Sequence, residues 1–208
     1  MLLDNRTNGK VGEELRKHIE KGSQLSVVSG LFSIFGYSEL KKELEKIDHF
    51  RFLLSQNSVE LNNQKMNDFF IKGLAGSEME RKFRNNLNIS QIAHECAIWL
   101  TKKAEIRTSA TLIPQSLYHI TKPNEEEIAI HGISPFSAEG FGFTPSDSFD
   151  INFCFTTGEE TKNLLKWFNS IWNNQQNTND IKSILISQLE KIYSEKSPSF
   201  IYFIVLFN

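Results

Sequence analysis

The chain has 208 residues, 39% of them hydrophobic and 17 of them Phe, with a formal net charge of −2. That composition excludes a disordered chain, a collagen and a coiled-coil rod. A chain of this size buries roughly 70% of the surface its unfolded form exposes, so it needs no disulfide or structural metal.

In chain order, Val11, Leu15 and Ile19 recur at helical spacing, and Gly22 ends that helix. Gln24 to Phe32 is a short buried strand. Leu40, Leu44 and Ile47 form one face of a helix over Tyr37–Ile47, with Ser38 as its cap. Phe50 to Ser55 is the next strand, and strand, crossover and strand make a parallel βαβ unit. A polar stretch runs to Gly76. Ser77 and Glu80 have the spacing of a capping box and open a helical region that reaches Lys103. Its buried face carries Ile89, Ile92, Ala93, Cys96, Trp99 and Leu100.

Three strands follow, at Glu105–Ser109, Ser116–Ile120 and Ile128–Gly132, then a Gly- and Phe-rich loop from Ser134 to Phe149. Ile151–Thr156 alternates as a strand. Thr157 and Glu160 form a second capping box, opening a helix with Leu164, Phe168, Ile171 and Trp172 on one face. A last helix spans Asp180–Tyr193. The terminal run FIYFIVLFN has eight apolar residues in nine, as expected of a docked terminus or of a chain cut from a longer protein. The fold class is therefore α/β: a mixed β-sheet flanked by helices on both faces, with a helical C-terminal end.

Several motifs fail. His94-Glu95 opens the zinc-protease pattern, but its fifth position is Ile98, so only one imidazole is available. No phosphate loop for ATP is present, and Gly140 and Gly142 lie in a loop with no helix after it. Cys96 and Cys154 make neither a disulfide framework nor a zinc site, so no metal or cofactor is expected in this segment, and a reducing cytoplasm fits. No apolar run reaches membrane-spanning length and no signal peptide opens the chain. His49-Phe50-Arg51 reads as a strand-edge histidine and an exposed arginine.

The order of several short strings resembles the N-terminal phospholipase D-like domain of bacterial superfamily-2 helicases. Leu3-Asp4-Asn5-Arg6 is similar to that family's opening, and Val28-Ser29-Gly30-Leu31-Phe32 with Phe35-Gly36-Tyr37 to its first strand and turn. Leu117-Tyr118-His119-Ile120 resembles the strand after its catalytic histidine and lysine. Gly132-Ile133-Ser134-Pro135-Phe136-Ser137, followed by Glu139-Gly140-Phe141-Gly142, resembles its G-S-S-N-F-T…G-L-G loop. Asp150-Ile151-Asn152 and Leu165-Lys166-Trp167-Phe168 are similar to the strand and closing helix that follow. The resemblance implies a phospholipase D-like domain over 1–175 and a C-terminal helical extension over 176–208, leading toward a helicase core.

The chemistry it implies is metal-independent phosphodiester cleavage. One histidine attacks phosphorus, a second protonates the leaving oxygen, and lysine and asparagine hold the charge that builds. This sequence departs from that pattern where it matters. The H-x-K motif falls on Pro114-Gln115-Ser116, and the loop asparagine beside Ser134 falls on Pro135. Those four positions, Pro114, Ser116, Ser134 and Pro135, are vestigial, and no catalytic residue is assigned. His119, His131, Ser137 and Asn152 are expected to line the remaining pocket.

The expected role is a catalytically silent accessory domain of a DNA helicase or restriction-type protein, used for dimerisation, docking or nucleic-acid handling. ATP-dependent helicase activity would belong to the intact protein. The alternative is a nuclease with a site rearranged around His119, His131, Ser134 and Asn152. The expected partners are a second copy of the chain, DNA and the helicase core, with no membrane. DNA would track Arg81, Lys82, Arg84, Lys102, Lys103 and Arg107 in the basic half. Residues 1–107 carry a net +3 and residues 108–208 a net −5, and Thr108–Thr161 holds one base, Lys122, against eight acids. The pocket region therefore repels phosphate.

Overall fold

The computed structural model describes residues 1–55, 59–61, 69–82 and 84–194. The expectation for the apolar run at 200–207 lies outside the described residues. The described residues form ten strands and six helices, in chain order: β1 (Leu2–Leu3), α1 (Val11–His18), β2 (Gln24–Ser29), α2 (Ile34–Leu44), β3 (His49–Leu54), β4 (Val59–Leu61), β5 (Phe69–Ile71), α3 (Glu78–Arg81), α4 (Asn86–Lys103), β6 (Ala104–Ser109), β7 (Ser116–Thr121), β8 (Glu127–Gly132), β9 (Asn152–Thr156), α5 (Glu159–Trp172), β10 (Thr178–Asp180) and α6 (Lys182–Ser194).

Eight strands form one mixed sheet in the order β1-β9-β8-β7-β2-β3-β6-β10, and β4 and β5 pair as a separate hairpin. The β2, β3 and β6 strands are parallel, joined by crossovers through α2 and α4; the other pairs in the sheet are antiparallel.

Alternation along the central strands sends successive side chains to opposite faces. Val27 and Phe52 join the larger core, built with residues of α1, α2, α4 and α6. Their neighbours Val28 and Leu53 join Leu117, Ala129, Phe168 and Trp172 under α5. Helices therefore cover both faces of an α/β sheet. The phenylalanines explain much of the larger core: Phe136 stacks on Phe32 at 5.1 Å and meets Phe52 and Phe141 edge-on at 5.5 and 5.2 Å.

Four sequence expectations are corrected. The α2 helix starts at Ile34 and its cap is Ser33, whose hydroxyl accepts from the Phe35 N–H, so Ser38 lies inside the helix. Gly36 hides this start, because glycine disfavours a helix interior. It is there because the Phe136 carbonyl oxygen lies 2.9 Å from where a Cβ would stand. The Ser77–Glu80 capping box is present, but it opens only the short α3; Asn85 caps α4 separately. The α5 helix begins after Gly158, whose N–H donates to the Thr161 hydroxyl, because the Thr157 N–H is already committed to the Glu127 carbonyl. Arg51 is half-buried beneath α5, donating to Ser26 and Asn169.

The segment from 176 continues the same body as far as Ser194. Its β10 pairs with β6, and Leu185 and Leu189 of α6 enter the larger core.

Candidate functional site at the carboxyl edge of the sheet

The strand directions bring Ser29, Ser55, Ser109, Ser116, Gly132 and Asn152 to one edge of the sheet, where β2, β3, β6 and β8 end and β7 and β9 begin. Ligands of open α/β sheets bind at such carboxyl edges. Here the hydroxyls are spent on the chain itself. Ser29 Oγ donates to the Leu31 carbonyl at 2.8 Å and accepts from the Phe136 N–H at 2.9 Å. Ser55 Oγ accepts from the Ile113 N–H, and Ser109 Oγ turns back on Thr111.

Ser134 is the centre of the loop after β8 and is fully buried. Its hydroxyl accepts from Asn5 Nδ2 at 3.0 Å and Asn152 Nδ2 at 2.8 Å, and donates to Asp150 Oδ2 at 3.0 Å. A hydroxyl has one donor and two acceptor positions, so all three are filled. Asn152 Oδ1 accepts from the N–H groups of Ile133 and Ser134, and the Tyr118 hydroxyl donates to the Ser134 carbonyl. Burial holds the Tyr118 phenol well above its ordinary value. Ser137 Oγ accepts from the Gly140 N–H, closing the next turn.

A second clasp sits beside it. The buried Glu80 carboxylate accepts from Ser33 Oγ, the Ser77 N–H and the Ala138 N–H at 3.2, 2.9 and 2.7 Å. It ties the starts of α2 and α3 to the loop. The Ser77 hydroxyl also bonds the Glu139 carboxylate.

A cleft of about 620 Å³ opens next to Ser134, lined by four carboxylates (Asp4, Glu139, Asp147, Asp150) against two bases, Arg6 and Lys10. Backbone N–H groups of Asn8 and Arg6 hold the Asp4 carboxyl well below the usual carboxylate range. Arg6 donates to the Ser146 and Ser148 carbonyls and lies 4.2 Å from the Phe149 ring centre. An excess of carboxylates disfavours an anionic ligand.

The four residues expected to line one pocket are divided by the sheet. His119 and His131 alternate with Tyr118 and Ile130, so both lie on the α5 face with Leu117 and Ala129. Asn152 shares the opposite face with Cys154, and Ser134 is held there by Tyr118. His119 is fully buried, and its Nε2 has no hydrogen-bond partner among the described residues. Burial depresses its pKa, which keeps the ring neutral. His131 Nδ1–H donates to the Ser116 carbonyl at 3.2 Å. Ser116 itself is buried at the start of β7, whereas Pro114 is exposed in the preceding loop and Pro135 is partly buried.

The six bases are also dispersed. Arg107 lies on the α5 face, donating to the Trp172 carbonyl at 2.6 Å with its guanidinium 4.5 Å from that ring centre. Lys103 donates to the Ile47 carbonyl on the other face. Arg84 pairs with Glu39 at 3.1 Å and covers the Phe35 ring. Arg81, Lys82 and Lys102 are exposed.

Sequence reasoning did not see what Arg51, Glu80, Asn5 and Asp150 do. The last two had a signal: both belong to the strings that carry the family resemblance. Glu80 had one in its capping box, which predicted the α3 contact and not the one to Ala138.

At the same edge, an apolar patch faces solvent. Leu2 pairs with Phe153, Ile151 lies two residues earlier, and Ile133 follows the Gly132–Asn152 pair. They are 39%, 45%, 55% and 54% exposed. Scattered exposed apolar residues are ordinary, but a contiguous set marks an interaction surface.

The fold and edge define a mixed α/β-sheet protein whose carboxyl edge is closed by its own polar side chains. No helix among the described residues is long and apolar enough to cross a membrane. No family model and no curated protein matches the chain. Among solved structures it is similar to a phosphatidylserine synthase from Haemophilus influenzae Rd KW20, with 8% identity and a TM-score of 0.47 over 97% of this chain and 46% of the synthase. The chain thus spans less than half of that enzyme's length.

Proposed function

We propose that this chain is a phospholipase D-like accessory domain of a larger DNA-handling protein, helicase or restriction-type, and that it works as a non-catalytic docking and dimerisation module. The observation that carries this reading is the saturated Ser134 hydroxyl, fixed by Asn5, Asn152 and Asp150. Where the resembling family keeps imidazole, ammonium and amide groups for a phosphate, this chain has Pro114, Ser116 and Pro135. Phosphoryl transfer needs a nucleophile and cations aimed at one phosphorus. The two histidines on the α5 face have the sheet between them and Ser134.

The exposed patch of Leu2, Ile133, Ile151 and Phe153 adjoins this lock, and its occupant in this reading is a second copy of the chain. A two-fold dimer needs one self-complementary patch. Light scattering over a concentration series tests it. The expected result is a dimer that Phe153→Glu converts to a folded monomer. A monomer at every concentration would overturn the dimer. In parallel, cleavage of duplex and single-stranded DNA with and without magnesium tests the absence of catalysis. Turnover lost on substitution of His119 or His131 would restore the nuclease reading. DNA binding, measured by anisotropy across a salt series, is expected to be weak, since Arg84, Lys103 and Arg107 already have internal partners.

A further inference from the structure

The α1 helix and β9 bring together three side chains from distant parts of the sequence: Glu14, His18 and Cys154. Val11 and Leu15 bury the inner stripe of α1, and Glu14 and His18, one turn apart, share the neighbouring stripe. Cys154 sits on β9 and faces the same layer. Its donor sulfur, a Glu14 oxygen and a His18 ring nitrogen all lie within 4.8 Å of one another. Glu14 Oε2 and His18 Nε2 are already 3.1 Å apart, and each side chain is 15% exposed. Cys154 is 5% exposed.

We propose that Glu14, His18 and Cys154 form a binding site for a borderline-soft divalent cation, zinc above all. Zinc bonds of about 2.0–2.3 Å place tetrahedral donors roughly 3.3–3.7 Å apart, so the trio needs only a small closure. One thiolate, one imidazole and one carboxylate suit zinc rather than calcium or magnesium, which prefer all-oxygen shells. Thiolate and carboxylate together cancel the charge of the ion, which suits a half-buried place. On binding, the metal–sulfur bond replaces the S–H bond and that proton goes to solvent. The His18 Nε2–H···Glu14 hydrogen bond gives way, and the ring proton resides on Nδ1 while Nε2 ligates. Lys17, 3.2 Å from the Glu14 carboxylate, then steadies the carboxylate from outside. Water fills the fourth position. Burial lowers the His18 pKa, which favours the neutral ligating ring, and raises that of the Cys154 thiol, which the ion must overcome.

The site is independent of the function proposed above. Cys96, wholly buried in α4, is an internal control. The test is a titration of chelated, reduced full-length protein with cobalt(II), followed by zinc(II). The expected result is one equivalent of cobalt with a thiolate-to-cobalt charge-transfer band that zinc abolishes. The band survives Cys96→Ser and vanishes in Cys154→Ser. Glu14→Gln and His18→Gln, partly exposed helix changes checked for folding by circular dichroism, each weaken binding tenfold or more. Zinc raises the melting temperature of the Cys96→Ser protein. Absence of the band, its persistence in Cys154→Ser, or unchanged affinity in both helix variants would overturn the site.

Discussion

Replacing Asn152 with Ala cuts the lock at the carboxyl edge, and the cost follows from its bonds. Asn152 is 1% exposed. Its Oδ1 is the acceptor for the buried Ser134 N–H and the part-buried Ile133 N–H, both at 3.1 Å, and its Nδ2 supplies one of three bonds to Ser134 Oγ. The Ser134 N–H loses its acceptor and stays buried, at about 1–3 kcal/mol. The Ile133 N–H regains some water, and Ser134 Oγ keeps Asn5 and Asp150, so these two losses add about 0.5–1.5 kcal/mol together. The expected destabilisation is about 1.5–4.5 kcal/mol, read as a lower urea midpoint with an unchanged slope. Asn152→Asp keeps an acceptor but buries a second carboxylate on the hydroxyl that already donates to Asp150, so it is expected to cost at least as much as alanine at neutral pH. A loss under about 1 kcal/mol for the alanine variant, or an aspartate variant as stable as the native chain, would refute the assignment of Asn152 as the acceptor that holds this loop.

Phe136→Ala empties the centre of the aromatic core and is expected to cost about 3–5 kcal/mol, a fall of roughly 10 °C in melting temperature; a fall below 3 °C would contradict that placement. His119 has a depressed pKa when folded, so below its ordinary value of 6.5 the unfolded chain binds the extra proton. Stability is then fully present above pH 6.5 and is lost as pH falls below it, by up to about 1.4 kcal/mol per pH unit. His119→Gln is expected to flatten this slope between pH 7.5 and 5.5. His18 is depressed by burial too and contributes equally in both proteins, so identical slopes would exclude His119 as the source.

Much of the fold was legible because its signals are local. The helix faces of α1 and α4, the strands β3, β7, β8 and β9, and the Ser77–Glu80 box follow from apolar spacing and capping chemistry within a few residues. The misread starts of α2 and α5 have causes elsewhere in the chain: the Phe136 carbonyl beside Gly36, and the Glu127 carbonyl that holds Thr157. The β10 strand is three residues long, with no alternation to read.

The site was less legible than the fold. A two-residue period separates His119 from Tyr118 and His131 from Ile130 within their own strands, and the sequence alone shows that Pro114, Ser116 and Pro135 supply no imidazole, ammonium or amide. Strand register and direction are set by backbone hydrogen bonds, which local patterns do not encode. They alone decide that Asn152 faces away from both histidines, that Arg107 points under α5 while Lys103 does not, and that Cys154 meets Glu14 and His18. Side-chain chemistry is written residue by residue, but which distant residues share it is settled only when the eight strands take their order.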